Sequence, residues 1–151
     1  MSSRKSPSLM IVVAGAGGLI LSRMAIVGSA QAAVSYFQNR KRPAELFGIR
    51  QPEYIIEGGV AAIASGLSDL LGFWVMPMIM DKVTHNQTLS SATAMLAPPL
   101  ISAGIEAGAK IYLVKGGTET ELPQSIAEYT IVKMLGDYVS ETVLGQSLAH
   151  H

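Results

Sequence analysis

The sequence predicts an all-α fold: a small helical membrane protein with about three hydrophobic helices and an amphipathic C-terminal helix. Three observations predict it. Charged residues make up 15% of the 151-residue chain, against roughly 25% in soluble domains. Mean hydropathy is positive. The glycines, 15 in all, lie with many alanines and serines inside the apolar runs, where small residues let helix backbones approach closely.

The first segment runs from about Ser8 to Phe37, uncharged over residues 6–22 and 24–39 and interrupted by Arg23. A helix of about 20 residues spans the hydrocarbon of a bilayer, so this one is long enough to cross and project. The basic cluster Asn39-Arg40-Lys41-Arg42 and the breaker Pro43 end it. Residues 43–53, bounded by Pro43 and Pro52, read as a loop. Arg4 and Lys5 before Leu9–Leu21, with Ala30-Gln31-Ala32 further on, also outline a signal peptide. Arg23 falls between that apolar run and the cleavage pattern.

The second segment, about Tyr54 to Met80, divides into two faces at 100° per residue. Ile56, Val60, Ile63, Leu67, Leu70, Leu71, Trp74 and Met78 form a bulky side. Gly58, Ala61, Ala62, Ser65, Asp69 and Gly72 form a small one carrying the segment's mid-span acid. Trp74 and Pro77 stand where an interfacial aromatic would sit. A polar loop, Asp81–Ser91, leads to a third segment from about Ala92 to Val114. Pro98-Pro99 should break or kink it early, leaving Leu100–Val114 regular, with Ser102, Ala103, Glu106 and Lys110 on one face.

The last element, about Pro123–Leu144, follows the acidic stretch Thr118–Glu121, which suits a helix N-terminus. Ile131, Met134, Leu135, Tyr138 and Val139 form an apolar stripe, with Lys133, Asp137 and Glu141 opposite and expected to face water. The chain thus divides into a membrane-embedded region, residues 1–115, and a C-terminal amphipathic helix and tail, residues 116–151.

Packing is expected through small residues. Ala14, Gly18, Ser22, Ala25, Ser29 and Ala32 make a stripe at helical spacing, and Gly58-x3-Ala62-x3-Gly66 and Gly104-x3-Gly108 repeat the pattern. Arg23, Asp69, Glu106 and Lys110 are the intramembrane charges, costly unless paired or functional. Glu106 and Lys110 stand one turn apart and can pair with each other. Asp69 and Arg23 have no partner in their own helices, so an interhelical pair between them is the economical arrangement.

No catalytic, cofactor-binding or metal-binding constellation is present. Gly15-Ala16-Gly17-Gly18 lacks the full dinucleotide fingerprint, because Ile20 holds the third glycine position and the position of the distal acid is Arg40. Cysteine is absent, which removes disulfides and thiolate chemistry, and His85, His150 and His151 form no ligand set. Asn86-Gln87-Thr88 matches a glycosylation sequon. Residues 1–50 carry seven basic residues against one acid, and residues from Gly116 onward carry five acids against one lysine. The basic residues are too few, and too little interleaved with aromatics, for nucleic acid.

The expected role is therefore a non-enzymatic, structural membrane subunit of a larger assembly, such as a virion inner membrane or an organellar or bacterial complex. Its expected partners are the lipid bilayer and other protein subunits, in a homo- or hetero-oligomer, without cofactor or nucleic acid. The alternatives are a small oligomeric channel, holin-like or proton-conducting, using Asp69 and Glu106, and a soluble helical interaction domain. With three spans, Arg40, Lys41, Arg42, Arg50 and Lys115 lie on one side, and Arg4, Lys5 and Lys82 on the other. The first side is then cytoplasmic-like, since basic loops resist translocation.

Overall fold

A computed structural model of the chain describes residues 2–72, 87–118 and 121–149. The described residues form four α-helices and a small three-stranded sheet. In order these are α1 (Ser2–Phe37), β1 (Pro43–Leu46), β2 (Ile49–Pro52), α2 (Glu53–Leu70), α3 (Gln87–Tyr112), β3 (Lys115–Gly116) and α4 (Leu122–Ala149). Trp74, Pro77, Met78, His85, Asn86, His150 and His151 lie outside the described residues, and so do the expectations placed on them.

Helix α1 ends in a Schellman turn. The Arg40 amide bonds the Ser35 carbonyl and the Asn39 amide bonds that of Tyr36, with Asn39 at φ 63°. A left-handed residue at this point satisfies orphan carbonyls and reverses the chain, and asparagine tolerates it well. The reversal leaves Arg40 and Arg42 beside the start of α2. Their carbonyls accept the Tyr54 and Glu53 amides, two of the N–H groups that a helix start leaves unpaired.

Residues 43–52, expected as a loop, are instead a β-hairpin. Pro43 pairs with Pro52, Ala44 with Gln51, Glu45 with Arg50 and Leu46 with Ile49. Phe47 and Gly48, both at positive φ, make the two-residue turn whose twist matches that of paired strands. The prolines sit at strand ends, where no ladder bond is lost. Strand β3 adds to β1 through Ala44–Gly116 and Glu45–Lys115, giving the order β2-β1-β3. Ala44 packs under the sheet with Ile56 and Val60, flanked by Leu46, Ala109 and Val114. The sheet therefore caps one end of the bundle.

Helices α1 and α2 run antiparallel and cross at two glycines. A Cβ on Gly28 would stand 2.9 Å from the Gly58 carbonyl oxygen and from Ala62 Cβ; one on Gly58 would stand 2.8 Å from the Gly28 oxygen and from Ala32 Cβ. One turn further along, Gly66 faces Met24. Gly136 brings α4 against Val27 of α1, and Val27, Ala61 and Val132 form an apolar layer in the middle of the bundle.

Gly58, Ala62 and Gly66 thus lie at a helix contact, whereas four other expected packing residues do not. Gly18 and Ala25 are exposed on α1, and among the described residues no atom beyond their own helix backbone and chain neighbours lies within 4 Å of where a Cβ on Gly104 or Gly108 of α3 would stand. The side of α1 that turns inward carries Arg23, Val27, Gly28, Gln31 and Ser35. The buried face of α1 thus combines polar groups with the one glycine, Gly28, at which α2 crosses. On α3 Ser102, Glu106 and Lys110 face inward and Gly104 lies on the far side. Helix α3 also continues through Pro98 and Pro99, starting at Gln87 within the expected Asp81–Ser91 loop. The Pro98 ring fills the space that a Cβ on Gly72 would need.

Candidate functional site

Each helix contributes a polar stripe at three-to-four-residue spacing to the bundle interior. On α2 it is Glu53, Glu57, Ser65, Ser68 and Asp69; on α3, Ser102, Glu106 and Lys110; on α4, Ser125, Tyr129, Lys133 and Ser140. All are buried. The outside is the reverse. Leu21 of α1, Ile63 and Leu67 of α2, Leu100 and Ile111 of α3, and Leu135 and Tyr138 of α4 are exposed. Soluble proteins place charge outside and large apolar residues inside, so this distribution is inverted.

The buried charges form two clusters. The first, under the sheet, centres on Glu57. Its carboxylate accepts hydrogen bonds from Ser35 Oγ of α1, Arg40 Nη1 (3.1 Å), Lys110 Nζ of α3 and Tyr129 Oη of α4 (3.2 Å). Arg40 also donates to Glu128 at 3.0 Å. Burial opposes the Arg40 charge, but Glu57 and Glu128 outweigh it and hold its pKa above the ordinary value. Glu53, 3.5 Å from Lys110, accepts the Thr118 amide, which ties the β3 segment to α2. One acidic side chain therefore bonds groups from all three other helical segments.

The second cluster centres on Lys133, fully buried. Its ammonium donates to Ser65 Oγ at 2.8 Å, Asp69 Oδ1 at 2.7 Å and Asp137 Oδ1 at 2.7 Å. That uses all three of its N–H groups. Arg23 lies 3.7 Å from Asp69, 3.9 Å from Asp137 and 2.5 Å from Glu141.

The structure brings Arg23 and Asp69 to 3.7 Å, the expected interhelical pair, while the shorter ion pairs are Arg23–Glu141 at 2.5 Å and Lys133–Asp69 at 2.7 Å. It separates Glu106 from Lys110: the lysine turns to Glu57 and Glu53, which are better placed across the helix interface. Glu106 Oε1 is buried with no hydrogen-bond partner among the described residues, and so are Ser102 Oγ one turn away and Asp69 Oδ2. The α4 expectation is also corrected. Lys133 is 0% exposed and Asp137 is largely covered, so this polar face meets other helices; of the three residues only Glu141 is open to solvent. The apolar stripe of α4 is the face left uncovered.

Sequence reasoning missed Glu53, Glu57, Arg40, Glu128 and Lys133 as interior groups. A signal existed for Glu57, which at 3.6 residues per turn lies about 40° from Ala61 on the small face of α2. For Lys133 the i,i+4 spacing to Asp137 was visible, but its third partner, Asp69, is 64 residues away.

Among the described residues no group of three or more His, Asp or Glu side chains is placed to hold a metal ion. Among the described residues one helix segment, Gly17–Phe37, is long and apolar enough to cross a membrane. Neither a protein-family model, nor a curated protein, nor a solved structure matches the chain.

Proposed function

We propose that the chain is a structural subunit integrated in a membrane, contributing a rigid helical bundle to a larger assembly. In this reading α1, α2 and α3 cross the bilayer and α4 lies embedded beside them. The observation that carries it is the inverted distribution of residues: paired charges inside and bulky apolar residues outside suit a hydrocarbon solvent. In hydrocarbon, polar groups must find their partners within the protein, and the two clusters supply them for Glu57, Lys110, Arg40 and Lys133. Helix α2, about 27 Å long at 1.5 Å per residue, approximates the roughly 30 Å hydrocarbon thickness.

Carbonate extraction tests the reading directly, with the chain expected to stay in the membrane pellet. Crossing by α3 is tested by single cysteines, since the chain has no native one. An impermeant maleimide should reach Thr84→Cys and Thr118→Cys from opposite sides of a sealed membrane. Release into the supernatant sinks the membrane assignment; labelling of both from one side sinks the crossing of α3.

A second reading, a small proton-conducting oligomer, draws support from the unpartnered Ser102 and Glu106 oxygens in the same interior as Asp69. It predicts a proton flux in chain-loaded liposomes that Glu106→Gln lowers at least tenfold. A flux no greater than that of empty liposomes removes it.

A further inference from the structure

We infer that the sheet end of the bundle is a binding surface for the headgroups of anionic phospholipids, an inference that rests on the membrane reading above. The strand register sets the surface. Ala44 points into the bundle, so its neighbour Glu45 points away from it, and the residues directly opposite Glu45 are Arg50 on β2 and Lys115 on β3. Residues facing each other across antiparallel strands share a side of the sheet. The outer face therefore carries the row Arg50–Glu45–Lys115, two cations flanking one acid.

Lys41 and Arg42 lead into β1 and are both exposed. Lys41 is held over the Tyr36 ring at 4.2 Å, within an aromatic group in which Tyr36 meets Phe37 and Tyr54 edge-on. Arg40 at the same end is already committed to Glu57 and Glu128. The exposed cations are then Lys41, Arg42, Arg50 and Lys115, against Glu45 and the exposed Glu121 that precedes α4. Cations exceed acids by four to two among the described residues.

The second, independent observation is aromatic. Phe37, Phe47 and Tyr112 are 80%, 79% and 84% exposed, and all three stand at this end. Aromatic rings collect at the headgroup level of membranes, where one side is apolar and the other wet. Phe47 also holds φ 51°, a costly conformation for a bulky residue, in order to stand at the hairpin tip. Exposed rings at the same end of the bundle as four exposed cations fit a phosphodiester bearing net negative charge. A zwitterionic lipid offers the same phosphate with its charge cancelled.

The test uses the full chain in phosphatidylcholine vesicles containing trace spin-labelled phosphatidylglycerol or spin-labelled phosphatidylcholine. The motionally restricted fraction of each label gives their relative association with the protein. Phosphatidylglycerol should associate about fivefold more strongly, as expected for one effective cation at a membrane surface. The preference should fall towards one in the variant Lys41→Gln, Arg42→Gln, Arg50→Gln, Lys115→Gln, and in the unmodified chain at about 1 M salt, where the Debye length shrinks to roughly 3 Å. A chain that integrates without preferring phosphatidylglycerol, or a variant that keeps the preference, overturns the inference and leaves the membrane reading standing. Equal loss of the preference on adding inorganic phosphate at matched ionic strength also overturns it, since the site would then be one for free phosphate. A chain that does not enter the vesicles at all overturns the membrane reading itself.

Discussion

Gly58→Leu should separate α1 from α2 and give the largest loss of stability of any single apolar substitution in the bundle. The reason is backbone against backbone. A Cβ at this position would meet the Gly28 carbonyl oxygen at 2.8 Å, and that oxygen belongs to a helix that cannot rotate out of the way. Overpacking ordinarily costs about 1–3 kcal/mol; here even Gly58→Ala should reach that range, and leucine should exceed it. Gly104→Leu is the control. Among the described residues no atom outside its own helix backbone and chain neighbours lies within 4 Å of where its Cβ would stand, and leucine is nearly as good a helix former as alanine, which is favoured over glycine by roughly 0.8–1 kcal/mol. It should be silent or slightly stabilising. Denaturation in detergent micelles, followed by circular dichroism, compares the two midpoints. Equal losses would mean that the glycine crossing does not organise the bundle.

Glu57→Ala should be the most damaging polar substitution. It removes the acceptor for Ser35, Arg40, Lys110 and Tyr129 together, and leaves Lys110 with Glu53 at 3.5 Å as its remaining ion-pair partner. Breaking a buried pair from one side costs about 3–5 kcal/mol, because the surviving charge stays desolvated. The double variant Glu57→Met, Lys110→Met removes both charges and should recover a large part of the loss, since apolar side chains of similar volume can replace a buried pair. The same unfolding titration reads it. If the double variant is as unstable as the two single losses added together, the cluster is not held by the pairing seen here.

The two substitutions probe features of unequal legibility. Small-residue spacing put Gly58, Ala62 and Gly66 on a common face, and α2 presents that face to α1. The same spacing put Gly18, Ala25, Gly104 and Gly108 forward, and those positions have open surroundings. A small residue permits a close approach without requiring one. For Lys133, Glu57 and Lys110 the buried side is the one that meets a partner on another helix, and the partner's location is not written locally. Arg23 and Asp69 could be matched because the sequence places no opposite charge one turn from either. Glu106 and Lys110 were matched wrongly because they had one, and the stronger acceptors, Glu57 and Glu53, lie on α2.

By itself the sequence determined the helical class, the end of α1 at Phe37, the start of α2 to within one residue, the small face of α2, and the approach of Arg23 to Asp69. Periodicity and charge cost act within one helix, so one helix suffices to read them. The tertiary structure alone decided that residues 43–52 pair as a hairpin, that Lys133 and Asp137 face inward, and that Glu57 gathers donors from three other segments. Each of these depends on groups far apart in the chain. An amphipathic helix such as α4 specifies two faces but not which one meets protein; that choice was settled by Asp69 and Ser65 waiting on α2.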